Sequence, residues 1–210
     1  MKGIKKSISR EQIIETALDL LKDNRDIRSI NLREIARVLG CAHTNLYNYF
    51  PSYNALLWEA HMEIENKFIA QISSAILGIE DNKTKLTHFF LTLASLYLDH
   101  KGWFRLAWLD YIDDVRPEKD EAATKNTVDT MVEILEGIWL GIYPESPGRE
   151  QIHQVLHDVH CYMVGEVSNF INGRGLIEDE KILRSHIAGT STAFFTLRLA
   201  NGGMTAYGEL

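Results

Sequence analysis

Cysteine and proline are scarce in this chain: two and four, respectively, among 210 residues. Cys41 and Cys161 lie far apart with no partner motif around either. Neither a disulfide framework nor a thiolate zinc site is supported, and both thiols read as small buried or interfacial residues. No run approaches the roughly 18 consecutive apolar residues of a membrane helix. The basic start, MKGIKK, leads into Ser9, Arg10 and Glu11 instead of an apolar signal core, so a cytoplasmic protein without a membrane partner is expected. Strand-like alternation bounded by hairpin turns is also missing, as are internal repeats.

What is present is apolar periodicity at helical spacing from end to end, within a chain that is 45% hydrophobic. The expected fold class is therefore all-α. Ser9 is a plausible N-cap for a first helix through Ile13, Ile14, Ala17, Leu18 and Leu21, and residues 24–29 break the pattern. Asn31 can cap a second helix ended by Gly40, and a third runs from about His43 to Tyr49, closed by Pro51. The pattern then predicts helices over 53–77, 83–99, 103–113, 118–140, 150–171 and 179–200, punctuated by Gly78, Gly102, Pro117 and the turn at 172–175. The expected domains are 1–53, 54–203 and a disordered tail at 204–210.

Charge is distributed unevenly. The net charge is -7, yet residues 1–57 carry nine Lys or Arg against six acids, and the remainder carries 13 against 23. A weakly basic head on an acidic body suits a protein that offers one end to phosphate. The segment Asn31 to Phe50, NLREIARVLGCAHTNLYNYF, has the layout of a helix-turn-helix. Ile35, Ala36, Leu39, Leu46 and Phe50 form its inner side. His43, Thr44, Asn45 and Asn48 are compact hydrogen-bonding residues at the end that reaches base edges in a major groove. Tyr47 and Tyr49 flank them, with hydroxyls suited to phosphate.

Three runs, R-x-x-I-I-x-x-A-L-x-L-L from Arg10, N-L-R-E-I-A-R-V-L-G from Asn31 and L-Y-N-Y-F-P-S from Leu46, resemble the DNA-binding region of TetR-family repressors over about the first 57 residues. The resemblance implies that Asn31 stands where a Thr often touches phosphate, that Arg33 approaches a base or the backbone, and that Tyr47 and Tyr49 contact phosphate. Ala42 replaces the usual capping Ser or Thr. Tyr53, still counted with the DNA-facing residues, replaces a phosphate-contacting Lys. The implied function is a ligand-responsive homodimeric regulator, a repressor, on near-palindromic double-stranded operator DNA. No cofactor and no catalytic residues are expected.

The same resemblance implies a helical body that dimerises through its last two helices around a ligand pocket. Ile152, Leu156, Val159 and Met163 form one stripe, and Gly189 and Ala193, with Leu197, form a seam that another helix can approach closely. Phe68, Phe89, Phe90, Trp103, Phe104, Trp108, Tyr111 and Trp139 are candidates to line a pocket for an apolar or aromatic effector. His153, His157 and His160, one turn apart, are metal candidates set against the commoner role of interface hydrogen bonding. They carry the competing reading, a helical-bundle metal-binding protein or enzyme without DNA function. A third reading is a member with a degraded head, resting on Ala42 and Tyr53.

Overall fold

The computed structural model describes residues 8–201, which form helices and no strands. The sequence tail at 204–210 and the basic residues Lys2, Lys5 and Lys6 lie outside the described residues. Helix α1 spans Arg10–Leu21 and begins with a reciprocal capping box, in which Ser9 Oγ accepts from the Gln12 amide and Gln12 Oε1 accepts from the Ser9 amide. Its Ile13, Ala17, Leu18 and Leu21 are fully buried, each large side chain stabilising the unit by about 1.5–3 kcal/mol before ordering costs. A 3₁₀ turn at Ile27–Ser29 follows.

Helix α2 is Leu32–Leu39, capped by Asn31 at one end and stopped at the other by Gly40, whose φ of 69° is the left-handed conformation that glycine adopts freely. The expected third helix is a 3₁₀ turn over His43–Asn48. Ala42 offers no side-chain cap, and the amides of Asn45 and Tyr49 instead close i to i+3 bonds on Ala42 and Leu46. Helix α3 is Tyr53–Ile76, α4 Asn82–Asp99, α5 Lys101–Trp108, α6 Glu118–Leu140, α7 Arg149–Ile171 and α8 Glu180–Ala200. The sequence reading carried α5 on to Asp113. It ends at Trp108 because the Leu109 and Asp110 amides both turn back onto the Arg105 carbonyl and Arg105 pairs with Asp110.

The chain divides into two compact units. One comprises residues up to Glu65 together with His100–Ala123; the other comprises Asn66–Asp99 together with Thr124 onward. In the first unit α5 packs on α1 through Gly102, which is inside the helix and not a break before it. A Cβ there would sit 1.7 Å from the Leu21 carbonyl oxygen. The Gly102 amide donates to the Lys22 carbonyl and the Trp103 indole to the Leu18 carbonyl, both at 2.8 Å, so α5 satisfies one carbonyl that the end of α1 leaves open and adds a second donor to another.

In the second unit α4, α7 and α8 pack together. Arg184 of α8 reaches Asp99 and the Ser95 carbonyl of α4, and Arg198 pairs with Asp158 of α7. Ile152, Val155, Leu156, Val159, Met163 and Val167 turn the inner side of α7 into core. Among the described residues no helix is long and apolar enough to cross a membrane.

Candidate nucleic-acid interface

The helix-turn-helix is held from beneath by Ile35, Ala36, Leu46 and Phe50, which are at most 2% exposed. Leu39, expected with them, is only half-buried. Arg10, to which the sequence assigned no contact, fastens the far end. Its guanidinium donates to the Tyr49 carbonyl at 2.8 Å, lies 4.3 Å from the centre of the Phe50 ring and pairs with Glu59 at 2.9 Å. One cation thereby ties the end of the recognition turn to α1 and α3.

On the outer side Thr44, Asn45, Tyr47 and Asn48 are exposed, and His43 is half-buried. Side chains three apart eclipse one another in a 3₁₀ turn. Thr44 therefore lines up with Tyr47, and Asn45 with Asn48, in two short rows of hydrogen-bonding groups. Asn31, Leu32, Arg33, Tyr47 and Tyr53 together line a shallow depression of about 300 Å³. Four of those five are residues that the sequence assigned to DNA. The Asn31 side-chain oxygen caps α2 by accepting from the Arg33 and Glu34 amides, while the Arg33 side chain stands in an exposed residue.

Two tyrosines behave differently from the expectation. Tyr49 donates its hydroxyl to the Ile8 carbonyl at 2.5 Å, and Tyr53 donates to the Ile27 carbonyl at 2.9 Å. Each donor is spent on the chain's own backbone, so in this structure both hold the fold instead of presenting a hydroxyl proton to phosphate. Burial, followed by the nearby Glu34 and Asp26 carboxylates, raises the Tyr53 phenol above its ordinary range, which keeps it a neutral donor.

The same unit holds a buried polar network that sequence reasoning missed. Asp120 of α6 is fully buried. One of its oxygens meets His61 Nδ1 at 2.7 Å, and the other accepts from Arg116 Nε at 2.6 Å. His61 Nε2 is 3.8 Å from Glu65, and Glu59 pairs with Lys119 as well as with Arg10. Burial opposes ionisation of Asp120, but the bonds from His61 and Arg116 prevail and hold its carboxyl below the usual range.

The eight aromatic candidates for an effector pocket are divided between the two units. Trp103, Phe104, Trp108 and Tyr111 belong to the first unit and Phe68, Phe89, Phe90 and Trp139 to the second. The Trp103 indole is committed to α1, and Tyr111 is 71% exposed. In the second unit Phe89, Phe90, Phe195 and Trp139 form a chain of ring contacts, edge-to-face at Phe89–Phe90 and Trp139–Phe195 and tilted at Phe90–Phe195, and Phe68 meets Tyr97 at a tilt of 50°.

The interface candidates divide as well. Ile152, Leu156, Val159 and Met163 are at most 4% exposed within the single chain, so they are core and not contact surface. Gly189, Ala193 and Leu197 are exposed, in a stripe with Ile182, His186 and Ala200 down one side of α8. The histidine row divides too. His153 and His157 are exposed, whereas His160 turns inward to the Tyr97 hydroxyl at 2.8 Å. Burial, and secondarily His157, push the His160 imidazole down to about 4. Among the described residues no three His, Cys, Asp or Glu side chains are grouped to hold a metal. Cys161, expected to be buried or interfacial, is exposed beside His157; Cys41 is half-buried.

No family model and no curated protein matches the sequence. Solved structures do match over nearly the whole chain, and many of them are TetR-family transcriptional regulators. The TetR-family regulator PfmR from Thermus thermophilus is 19% identical with a TM-score of 0.56, covering 92% of this chain and 96% of its own. The transcriptional regulator FadR from Bacillus subtilis, solved with stearoyl-CoA, is 17% identical with a TM-score of 0.62, covering 92% and 99%. A TetR variant from Acinetobacter baumannii in complex with minocycline is 16% identical with a TM-score of 0.62, covering 93% and 99%. The chain thus has the all-helical fold shared by these regulators.

Proposed function

We propose that this chain, which shares the fold of TetR-family regulators, is itself a member: a homodimeric, ligand-responsive transcriptional repressor that binds near-palindromic operator DNA. The observation that carries the reading is the exposed row Thr44, Asn45, Tyr47 and Asn48, set on a buried helix-turn-helix beside the depression shared by Asn31, Arg33, Tyr47 and Tyr53. Compact amide and hydroxyl groups suit base edges, and the arginine and tyrosine rim suits phosphate. Residues 1–53 form the DNA-binding domain and 54–203 the effector and dimerisation domain, in a cytoplasmic protein without catalytic activity.

The exposed stripe Ile182, Gly189, Ala193 and Leu197 on α8 supports a second copy as the partner, since small residues let helices cross closely about a twofold axis. Paired recognition turns then enter successive major grooves roughly 34–36 Å apart. The aromatic cluster around Phe90, Trp139 and Phe195 supports an apolar or aromatic effector. That effector need supply only about 1–3 kcal/mol of differential affinity to release DNA.

The experiment is selection of bound sequences from a random duplex pool, with the oligomeric state followed by sedimentation. A near-palindromic consensus bound by a dimer is expected, and Ala193→Glu should yield a folded monomer. A folded protein that enriches no sequence contradicts the reading.

A further inference from the structure

We infer that Arg28, on the 3₁₀ turn between α1 and α2, is a further phosphate contact of the DNA-binding face, and that Tyr53 is the residue that positions it. The inference rests on the reading that the chain binds duplex DNA. The backbone around Arg28 is fixed on all sides. Its own amide donates to Asp26 Oδ1 at 2.8 Å, and Asn24 Oδ1 accepts from the Asp26 amide and the Ser29 hydroxyl, each at 3.0 Å. Ile27 and Ile30, at 3% exposure each, plug the turn into the core on either side. Arg28 itself is exposed.

Tyr53 joins this turn to the depression. Its ring lines the depression with Asn31, Arg33 and Tyr47, while its hydroxyl holds the Ile27 carbonyl, one residue before Arg28. Two carboxylates, Glu34 and Asp26, act on the same phenol through their charge. Asp26 is occupied by the Arg28 amide, and Glu34 has Arg37 at 3.8 Å. Four arginines, Arg25, Arg28, Arg33 and Arg37, outnumber the two acids between residues 24 and 37.

A neutral tyrosine at position 53 contributes no charge to a polyanion, but as a strut it fixes the turn that carries the exposed Arg28. A guanidinium on a preordered backbone matches phosphate geometry at small entropic cost. A sugar-phosphate backbone is the occupant that this combination of exposed cations and tyrosine fits.

The test uses the full chain and the duplex it selects, with affinity measured from roughly 50 to 200 mM salt. Arg28→Gln should lower the slope of log affinity against log salt by about 0.9 per half-site, or about 1.8 for a dimer. It should weaken operator and scrambled duplex by the same factor, with the melting temperature unchanged. Arg28→Lys should restore most of the slope, and Tyr53→Phe should lose part of it. An unchanged slope in Arg28→Gln, or a loss confined to the operator, overturns the assignment while leaving the DNA-binding reading intact. A wild-type protein without salt-dependent duplex binding overturns both.

Discussion

The two units hold their interior polar groups in opposite ways. The first encloses the Asp120 carboxylate, bonded to His61 and Arg116, next to the Arg10–Glu59–Lys119 cluster. The second contains a neutral pair, Tyr97 and His160, within aromatic packing. A buried carboxylate keeps its partners only while it stays ionised, whereas a buried neutral imidazole persists until acid forces a proton onto it. Acid should therefore loosen the units in different pH windows.

Asp120 has a lowered folded pKa, so its contribution is complete above the ordinary carboxylate value of 3.8 and is lost only as pH falls below it. His160 is lowered from 6.5 to about 4 and favours the neutral form, so its contribution is complete above 6.5 and declines between 6.5 and about 4. At pH 5 the second unit should already be weakened while the Asp120 network stands.

The sharpest way to break this comparison is Asp120→Ala, which removes the acceptor shared by His61 Nδ1 and Arg116 Nε and leaves His61 with Glu65 at 3.8 Å alone. It should destabilise the protein by about 3–5 kcal/mol, read by denaturant unfolding; a loss under about 1 kcal/mol would mean that the network contributes little. Next in size is the acid response. Wild type should lose up to roughly 3 kcal/mol between pH 6.5 and 4 through His160, and His160→Gln should flatten that part of the stability profile. A smaller effect sharpens a contrast inside the first unit, between the capped starts of α1 and α2 and the uncapped recognition turn. Ala42→Ser should stabilise the fold by about 1 kcal/mol and shift the turn toward α-helix, seen as slower amide exchange at 45–48. No gain in stability would show that the turn's 3₁₀ form has another cause.

Much of the first unit was legible because its signals are local. Ser9, and Asn31 with Gly40, define helix ends within a few residues, and Ile35, Leu46 and Phe50 announce the inner side, while the reciprocal Gln12 half of the first cap was not read. Arg10 reaching Tyr49 and His61 meeting Asp120 span 39 and 59 positions, and nothing in local spacing pairs them. The roles of Tyr49 and Tyr53 were hidden for the same reason, since their acceptors are backbone carbonyls that every residue possesses. On α7 the apolar face covers more than half of the helix, so the pattern marked what is buried without saying by which neighbour. Only packing against α4 and α8 shows that Ile152 and Met163 are core, while the exposed seam lies on α8.

The central claim is that Thr44 through Asn48 read DNA, and it is tested most directly by replacing Tyr47 and Asn48 together with Ala and measuring affinity for the selected duplex. Neither side chain is core, so stability should be retained. Affinity should fall by about 2–4 kcal/mol, the loss of one phosphate-side and one base-side contact in each half-site. An unchanged affinity would mean that this face does not contact the operator.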